Sequence, residues 1–338
     1  MTDTMTDTII DIYTHIYPER FFQEMTRVAP KIGNIGPRMR SITKLFDLDA
    51  RFKEMDTFGD YRQIVSLPNP PIEDIAKPEA GLQLARVAND EMAELCRKHP
   101  QRFPAFAAAL CMTDLEGSIT EARRAIKDLG AAGVLIYTDV AGKPLDDPAF
   151  ELLFAAMAEL NRPIWLHPSR TAAMPDYASE TKSRFEMWWC LGWPYDTSVA
   201  MIRMVFCGLF DRHPNLRIIT HHLGGMIPFY DGRVGPGLKV LGARTSDEDY
   251  SKILPSLKRP HMDYLHDYYA DTAMFGGGVH ALRCGLEFFG ADRVVFATDA
   301  PLGPIAPTIA EIKKLELAPD DQRKLFCGNA EKLLNMKF

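Results

Sequence analysis

The chain has 338 residues, 46% hydrophobic and 25% charged, so it buries a large core without needing disulfides. A net charge of −6 disfavours a nucleic-acid surface, which requires clustered Lys and Arg, and no apolar run reaches the roughly 18 residues that span a bilayer. The start MTDTMTDT lacks the basic and apolar blocks of a secretory signal, and six scattered cysteines form no C-x-x-C pair; the expectation is a cytoplasmic protein acting on a small molecule, with no nucleic acid and no membrane as partner.

Short apolar segments alternate with helical patterns along the chain. The first predicted strand covers residues 9–16, followed by a long insert at 29–56 that contains Gly33, Gly36 and Pro37. A second strand is expected at 61–67 and a helix at 79–98, where Leu82, Ala85, Met92 and Leu95 recur near one side. Strands at 103–111, 133–138 and 163–167 are separated by helices at 115–129 and 148–160, the former stopping at Gly130. A second insert, 176–214, carries Trp188, Trp189 and Trp193. Strands at 216–222, 267–272 and 293–298 and a helix at 321–335 complete the pattern. Runs such as Val134-Leu135-Ile136 and Val294-Val295-Phe296 suit strands buried on both faces of a parallel sheet. Eight strands alternating with helices fit an α/β fold, a TIM-type (β/α)8 barrel in one domain spanning 1–338. No G-x-G-x-x-G follows the first strand, which removes the main reason to prefer a nucleotide-binding open sheet. Long inserts after barrel strands usually cover the site.

The histidines carry the chemical signal. His15, His167, His221 and His222 stand at or near the predicted C-terminal ends of strands 1, 5 and 6, and Asp299 holds the same place on strand 8. In a closed barrel these ends converge at one mouth, and imidazole with carboxylate is a first-row metal set. A lone histidine after a strand is more often a hydrogen-bonded structural residue; it is the recurrence on the correct strands that points to metal. Because adjacent strand residues face opposite ways, only one of His221 and His222 is expected to face the axis. His222 is the better candidate, leaving His221 open between a packing residue and a ligand. The other histidines (His99, His213, His261, His266, His280) read as surface or packing residues.

Several segments together resemble a known family. Ile10-Asp11-Ile12-Tyr13-Thr14-His15-Ile16-Tyr17-Pro18, Ile164-Trp165-Leu166-His167-Pro168, Thr220-His221-His222-Leu223-Gly224-Gly225-Met226-Ile227-Pro228, Phe296-Ala297-Thr298-Asp299-Ala300-Pro301 and Gly328-Asn329-Ala330-Glu331-Lys332-Leu333-Leu334 run in family order. The chain is similar to the amidohydrolase-related group that includes aminocarboxymuconate-semialdehyde decarboxylase and the γ-resorcylate-type decarboxylases. The resemblance implies a metal bound by a His-x-His or Glu-x-His pair on strand 1, a His on strand 5 and an Asp on strand 8. Those places hold Tyr13, His15, His167 and Asp299. It also implies that His222, matched by its spacing to Pro228, handles protons or activates water.

Tyr13 departs from that pattern. A phenol binds metal well only as phenolate, which ferric iron favours and a metal's charge promotes from a pKa of about 10; the bland reading is that Tyr13 merely lines the mouth. The leading expectation is a metal-dependent lyase or hydrolase that decarboxylates or hydrolyses a small carboxylated, aromatic substrate, with one Zn or Mn ion. Arg170 and Arg233 are candidate carboxylate clamps and Trp188, Trp189 and Trp193 candidate pocket walls, each with the bland alternative of a solvated or packing residue. A second reading is a dinuclear iron or manganese oxygenase using Tyr13, His221 and His222. A third is an inactive barrel serving as a partner subunit. Sixteen methionines and two inserts weakly favour a homodimer.

Overall fold

In the computed structural model residues 8–33, 35–275 and 278–338 are described. Eight parallel strands form the barrel: β1 (Ile9–His15), β2 (Tyr61–Ser66), β3 (Ala107–Ala108), β4 (Gly133–Tyr137), β5 (Ile164–His167), β6 (Ile218–Thr220), β7 (Tyr269–Asp271) and β8 (Val294–Val295). Strands β3 to β8 hydrogen-bond in sequence order, β1 pairs with β2, and a Val65/Phe106 bridge links β2 to the segment before β3. The ring closes between the first and last strands. The Ile12 N–H donates to the Phe296 C=O at 2.9 Å and the Asp299 N–H donates to the Tyr13 C=O at 3.1 Å.

The eight expected strands are present, but several are shorter than their apolar runs. The run 103–111 yields a ladder only at β3, and 216–222 only at β6. Apolar character marks burial, and the residues flanking these ladders are buried loop rather than sheet. The 176–214 segment is not all insert. It contains the helix Gly192–Phe206, which buries Met201, Met204 and Val205 as an ordinary barrel helix, so the real excursion ends near residue 191. The expected helix 321–335 is interrupted by a π-turn at Lys324–Gly328. A small antiparallel hairpin, Asp139–Val140 with Lys143–Pro144, follows β4 and was not expected.

Local chemistry accounts for the helices. Leu115–Lys127 begins where the Asp114 carboxylate accepts the Gly117 N–H at 3.0 Å, satisfying one orphan donor of the first turn. Pro78–Lys98 starts with proline at its first position and buries Leu84, Ala85, Ala88 and Met92 against the strands. Two apolar layers result. One lies between strands and helices; the other fills the barrel with Ile10, Ile12, Ile64, Ala107, Leu135, Trp165, Ile219 and Val295 and is sealed by Leu333 and Leu334. The Arg217 guanidinium, just before β6, donates to the Leu333 C=O at 3.0 Å, which puts the C-terminal seal at the strands' N-terminal ends and leaves the opposite end as the mouth.

One irregularity in β1 decides what the mouth contains. Asp11 pairs with Gln63 and Thr14 with Val65, so β1 carries one extra residue, a bulge. Ile12 and Tyr13 both join the inner cluster, whereas Asp11 turns to the outer layer. There its carboxylate accepts the Thr298 N–H at 3.1 Å, together with the Thr298 and Tyr61 hydroxyls, and ties β1 to the chain before Asp299. Burial pushes this carboxyl up to about 7 although those hydrogen bonds oppose the rise. The 29–56 insert is anchored in the same layer. Arg51, 2% exposed, donates to the His15 C=O, to Thr14 Oγ1 at 3.1 Å and to Gln63 Oε1 at 2.7 Å.

Candidate active site

Strand ends β1, β5, β6, β7 and β8 bring His15, His167, His221, His222, Asp271 and Asp299 to the mouth, all 9% exposed or less. His15 is held from behind: its Nδ1 lies 3.1 Å from the Leu67 C=O and 3.1 Å from Ser66 Oγ. Its Nε2 faces Asp299 Oδ1 at 2.7 Å, within hydrogen-bond distance. His167 is oriented in the same manner, its Nδ1 donating to the Pro168 C=O at 2.7 Å. Burial and the neighbouring His221, His222 and His15 rings push His167 well below the ordinary imidazole range, keeping it neutral. Asp299 itself has φ +65°, a left-handed conformation uncommon outside glycine. The turn after it depends on Gly303, where a Cβ would lie 2.0 Å from the Thr298 carbonyl oxygen.

Asp271, at the end of β7, organises the histidine pair. Its Oδ2 accepts from His221 Nδ1 at 2.6 Å, while Oδ1 accepts the His222 and Ala273 N–H groups, each at 3.1 Å. His221 Nε2 is thereby left 4.0 Å from Asp299 Oδ1, buried and without a hydrogen-bond partner among the described residues. Burial alone would lower His221, but the Asp271 carboxylate outweighs it and raises the imidazole above its usual 6.5. His222 is pushed well below that value by burial and by His221. The expectation that adjacent residues face opposite ways does not hold here. β6 ends at Thr220, and His222 takes φ +51°, so both rings enter the mouth with centroids 3.8 Å apart.

Tyr13 stands among these rings, its own centroid 4.6 Å from His15, 4.5 Å from His221 and 6.0 Å from His167. Its hydroxyl is buried and unpartnered among the described residues, and burial, with Tyr137, Asp299 and Asp271 nearby, raises the phenol well above 10. Trp193, one of the three insert tryptophans expected as pocket walls, packs 5.1 Å from His167 and stacks at 22° on His222 at 6.3 Å, with its Nε1–H donating to the Arg170 C=O at 2.9 Å. Arg170 and Trp188 line a cavity of about 640 Å³ beside this cluster, together with Trp193 and Asn69. Arg233 is not brought to that cavity: it lies exposed on the short helix Asp231–Val234.

Among the described residues, no three His, Cys, Asp or Glu side chains stand close enough together to hold a metal ion as they are. The donor set nonetheless fits a divalent ion. His15, His167 and His221 are each anchored through Nδ1, the carboxylate of Asp299 lies 2.7 Å from His15 Nε2 and 4.0 Å from His221 Nε2, and three buried polar atoms, the Tyr13 hydroxyl, His221 Nε2 and His222 Nδ1, lack a partner among the described residues. Sequence reading missed Asp271 and Ser66, which lie against His221 Nδ1 and His15 Nδ1, and Asn69, which sits beside His167. Asp271 alone left a trace, as a carboxylate ending an apolar strand.

The amidohydrolase family model matches residues 10–336. The chain belongs to this family. It is 30% identical to a γ-resorcylate decarboxylase of Rhizobium sp. (strain MTP-10005), covering 84% of this chain and 88% of that one. It is 28% identical to 2-amino-3-carboxymuconate-6-semialdehyde decarboxylase of Dictyostelium discoideum, over 97% and 91% of the two chains. Among solved structures, a dihydroxybenzoic acid decarboxylase from Polaromonas sp. JS666 with bound manganese and 2-nitroresorcinol superposes with a TM-score of 0.78 at 27% identity, covering 97% of each chain. The fold is the (β/α)8 barrel of this amidohydrolase, and the chain is a metal-dependent carboxy-lyase or hydrolase whose cofactor is a divalent metal ion. Among the described residues no helix is long and apolar enough to cross a membrane.

Proposed function

We propose that the chain decarboxylates a hydroxylated aromatic carboxylate, using one divalent ion, Mn or Zn, held by His15, His167 and Asp299. The observation that carries this reading is the convergence of Nδ1-anchored histidines and Asp299 beside an aromatic wall, Trp193, in a chain similar to decarboxylases of ring carboxylates. When bound, the metal supplies Lewis-acid charge that anchors substrate oxygens.

The chain's own groups do the rest. His221, whose Nδ1–H is committed to Asp271, has an Nε2 lone pair that accepts a hydrogen bond from a ring hydroxyl next to the carboxylate. Trp193 stacks the ring and excludes water from it. The C–C bond to the carboxylate breaks, its electron pair stays on the ring carbon, and a proton taken from solvent and delivered by His222 replaces carbon dioxide. His222 suits that role because its ring stands beside Trp193 and His221 in the mouth and its Nδ1 has no competing partner among the described residues.

The test is turnover of 2-hydroxy- and 2,6-dihydroxybenzoates by manganese-loaded protein in deuterated water, under argon and in air. One carbon dioxide and one ring deuterium per turnover, with equal rates in both atmospheres, is the expected result. Oxygen consumption by a coloured protein whose absorption band vanishes in Tyr13→Phe would install the oxygenase instead.

A further inference from the structure

The histidine cluster occupies one side of the mouth, while the 640 Å³ cavity opens on the other. The two spaces share walls. Asn69 lines the cavity and sets its Nδ2 3.4 Å from His167 Nδ1, and Trp193 lines the cavity while touching His167 and His222. A volume of that size lies within the roughly 300–1,000 Å³ that hold a drug-sized ligand, and a single hydroxybenzoate ring does not fill it.

The cavity's interior is apolar. Ile32 and Ile35 come from the first insert, Ile75 from the helix after β2, and Ala173, Met174 and Trp188 from the segment after β5. Apart from Asn69 Oδ1, which is buried without a partner among the described residues, its polar walls are largely committed elsewhere. The Arg170 guanidinium lies 3.8 Å from Asp196 and donates to the Pro175 C=O at 3.3 Å; Asp139 accepts the Gly142 N–H at 2.7 Å and the Ser169 hydroxyl. Lys31 and Asp74 are exposed and belong to the rim. Such a lining recognises a neutral apolar group and offers no converging cations for a second carboxylate.

We propose that this cavity is the subsite for an apolar tail, so that the preferred substrate is a ring carboxylate carrying a chain of several carbons, or a second ring, on the edge opposite the carboxylate. This inference rests on the decarboxylase reading above. With the carboxylate at His15, His167 and Asp299, a substituent on the opposite edge of the ring would enter the cavity through the wall that Trp193 and Asn69 share with the histidines, where each buried methylene is rewarded.

The experiment uses manganese-loaded enzyme and a series of 2-hydroxybenzoates bearing methyl, propyl or pentyl at the para position, with the matching 3-alkylphenols as product ligands. The expected result is a kcat/KM rising about threefold to fourfold per methylene until the cavity fills, and phenol Kd values tightening in parallel. In Ala173→Trp, which fills exposed cavity space without touching the core, the ratio of pentyl to methyl kcat/KM falls by about 10-fold or more. A wild-type kcat/KM and phenol Kd that stay flat or worsen with chain length would overturn the subsite. No turnover of any member, with phenol binding still tightening along the series, would overturn the decarboxylase reading while keeping the subsite.

Discussion

The two halves of the barrel mouth differ in the kind of residue that ends each strand. β1, β5, β6, β7 and β8 end on or beside His15, His167, His221, His222, Asp271 and Asp299, a ring of titratable groups held by hydrogen bonds. β2, β3 and β4 end on Ser66, Ala108 and Tyr137 and carry no such ring, and the apolar cavity beside them is lined by segments after β1, β2, β4 and β5. One half is built to fix charge and protons to within an ångström; the other to supply area. The first tolerates no substitution of a donor, because a buried charge or imidazole that loses its partner has no water to turn to. The second tolerates changes of size and answers with selectivity.

The largest contrast is expected from the metal donors. Asp299→Ala, His15→Ala or His167→Ala should each strip bound metal and activity while the far-UV circular dichroism is retained, because the core of the barrel is carried by other residues. On the opposite half, Ser66→Ala should keep its metal, since His15 Nδ1 still has the Leu67 carbonyl at 3.1 Å. Metal counts per chain by mass spectrometry decide this, and full occupancy in the three ligand variants would remove the assignment.

Asp271→Asn should have an intermediate effect. The neutral amide still accepts from His221 Nδ1 but no longer supports charge on that ring and offers one oxygen where the carboxylate offered two, so activity should drop by about 10- to 100-fold. The acidic limb of the kcat/KM profile should also move to lower pH, because the carboxylate that raises His221 is gone. An unchanged profile would limit Asp271 to folding.

The smallest effect belongs to the apolar half. Glu73, 9% exposed on the helix Ile72–Ile75, is pushed up to about 7 by burial, with Asp74 and Asp139 adding to the rise. A folded pKa above the unfolded value means the folded chain holds that proton more tightly. Wild-type stability from this group is therefore present below about 4.5 and is lost as pH rises through 7. Glu73→Gln has no proton to lose, so its stability relative to wild type should grow between pH 5 and 8, by roughly 3 kcal/mol at most. Urea denaturation at both pH values measures it; a constant difference would contradict the buried titration.

The legible part of the site was its list of donors. His15, His167 and Asp299 follow apolar runs that can only be buried strands, and a barrel brings such ends together whatever its loops do. The illegible part was orientation. Alternation predicted one inward ring from His221 and His222, but the strand stops at Thr220 and a left-handed residue follows, so parity no longer applies. Likewise, strict alternation sets Ile10 and Ile12 on one face of β1 and His15 on the other. The bulge at Ile12–Tyr13 puts all three inside, and its cause lies 50 residues away in the Gln63 and Val65 pairing.

By itself, the sequence determined the element order, the parallel barrel and which residues were candidate metal donors, because apolar periodicity and residue type are local and survive without partners. The tertiary structure alone decided which donors share a space, that Asp271 rather than solvent fixes the histidine pair, that Arg51 from an insert clamps the His15 carbonyl, and that half of the mouth is a cavity. Those are properties of contacts between segments distant along the chain. Each depends on the register and bulges of the closed barrel, which are set by the packing of the whole rather than by any window of residues.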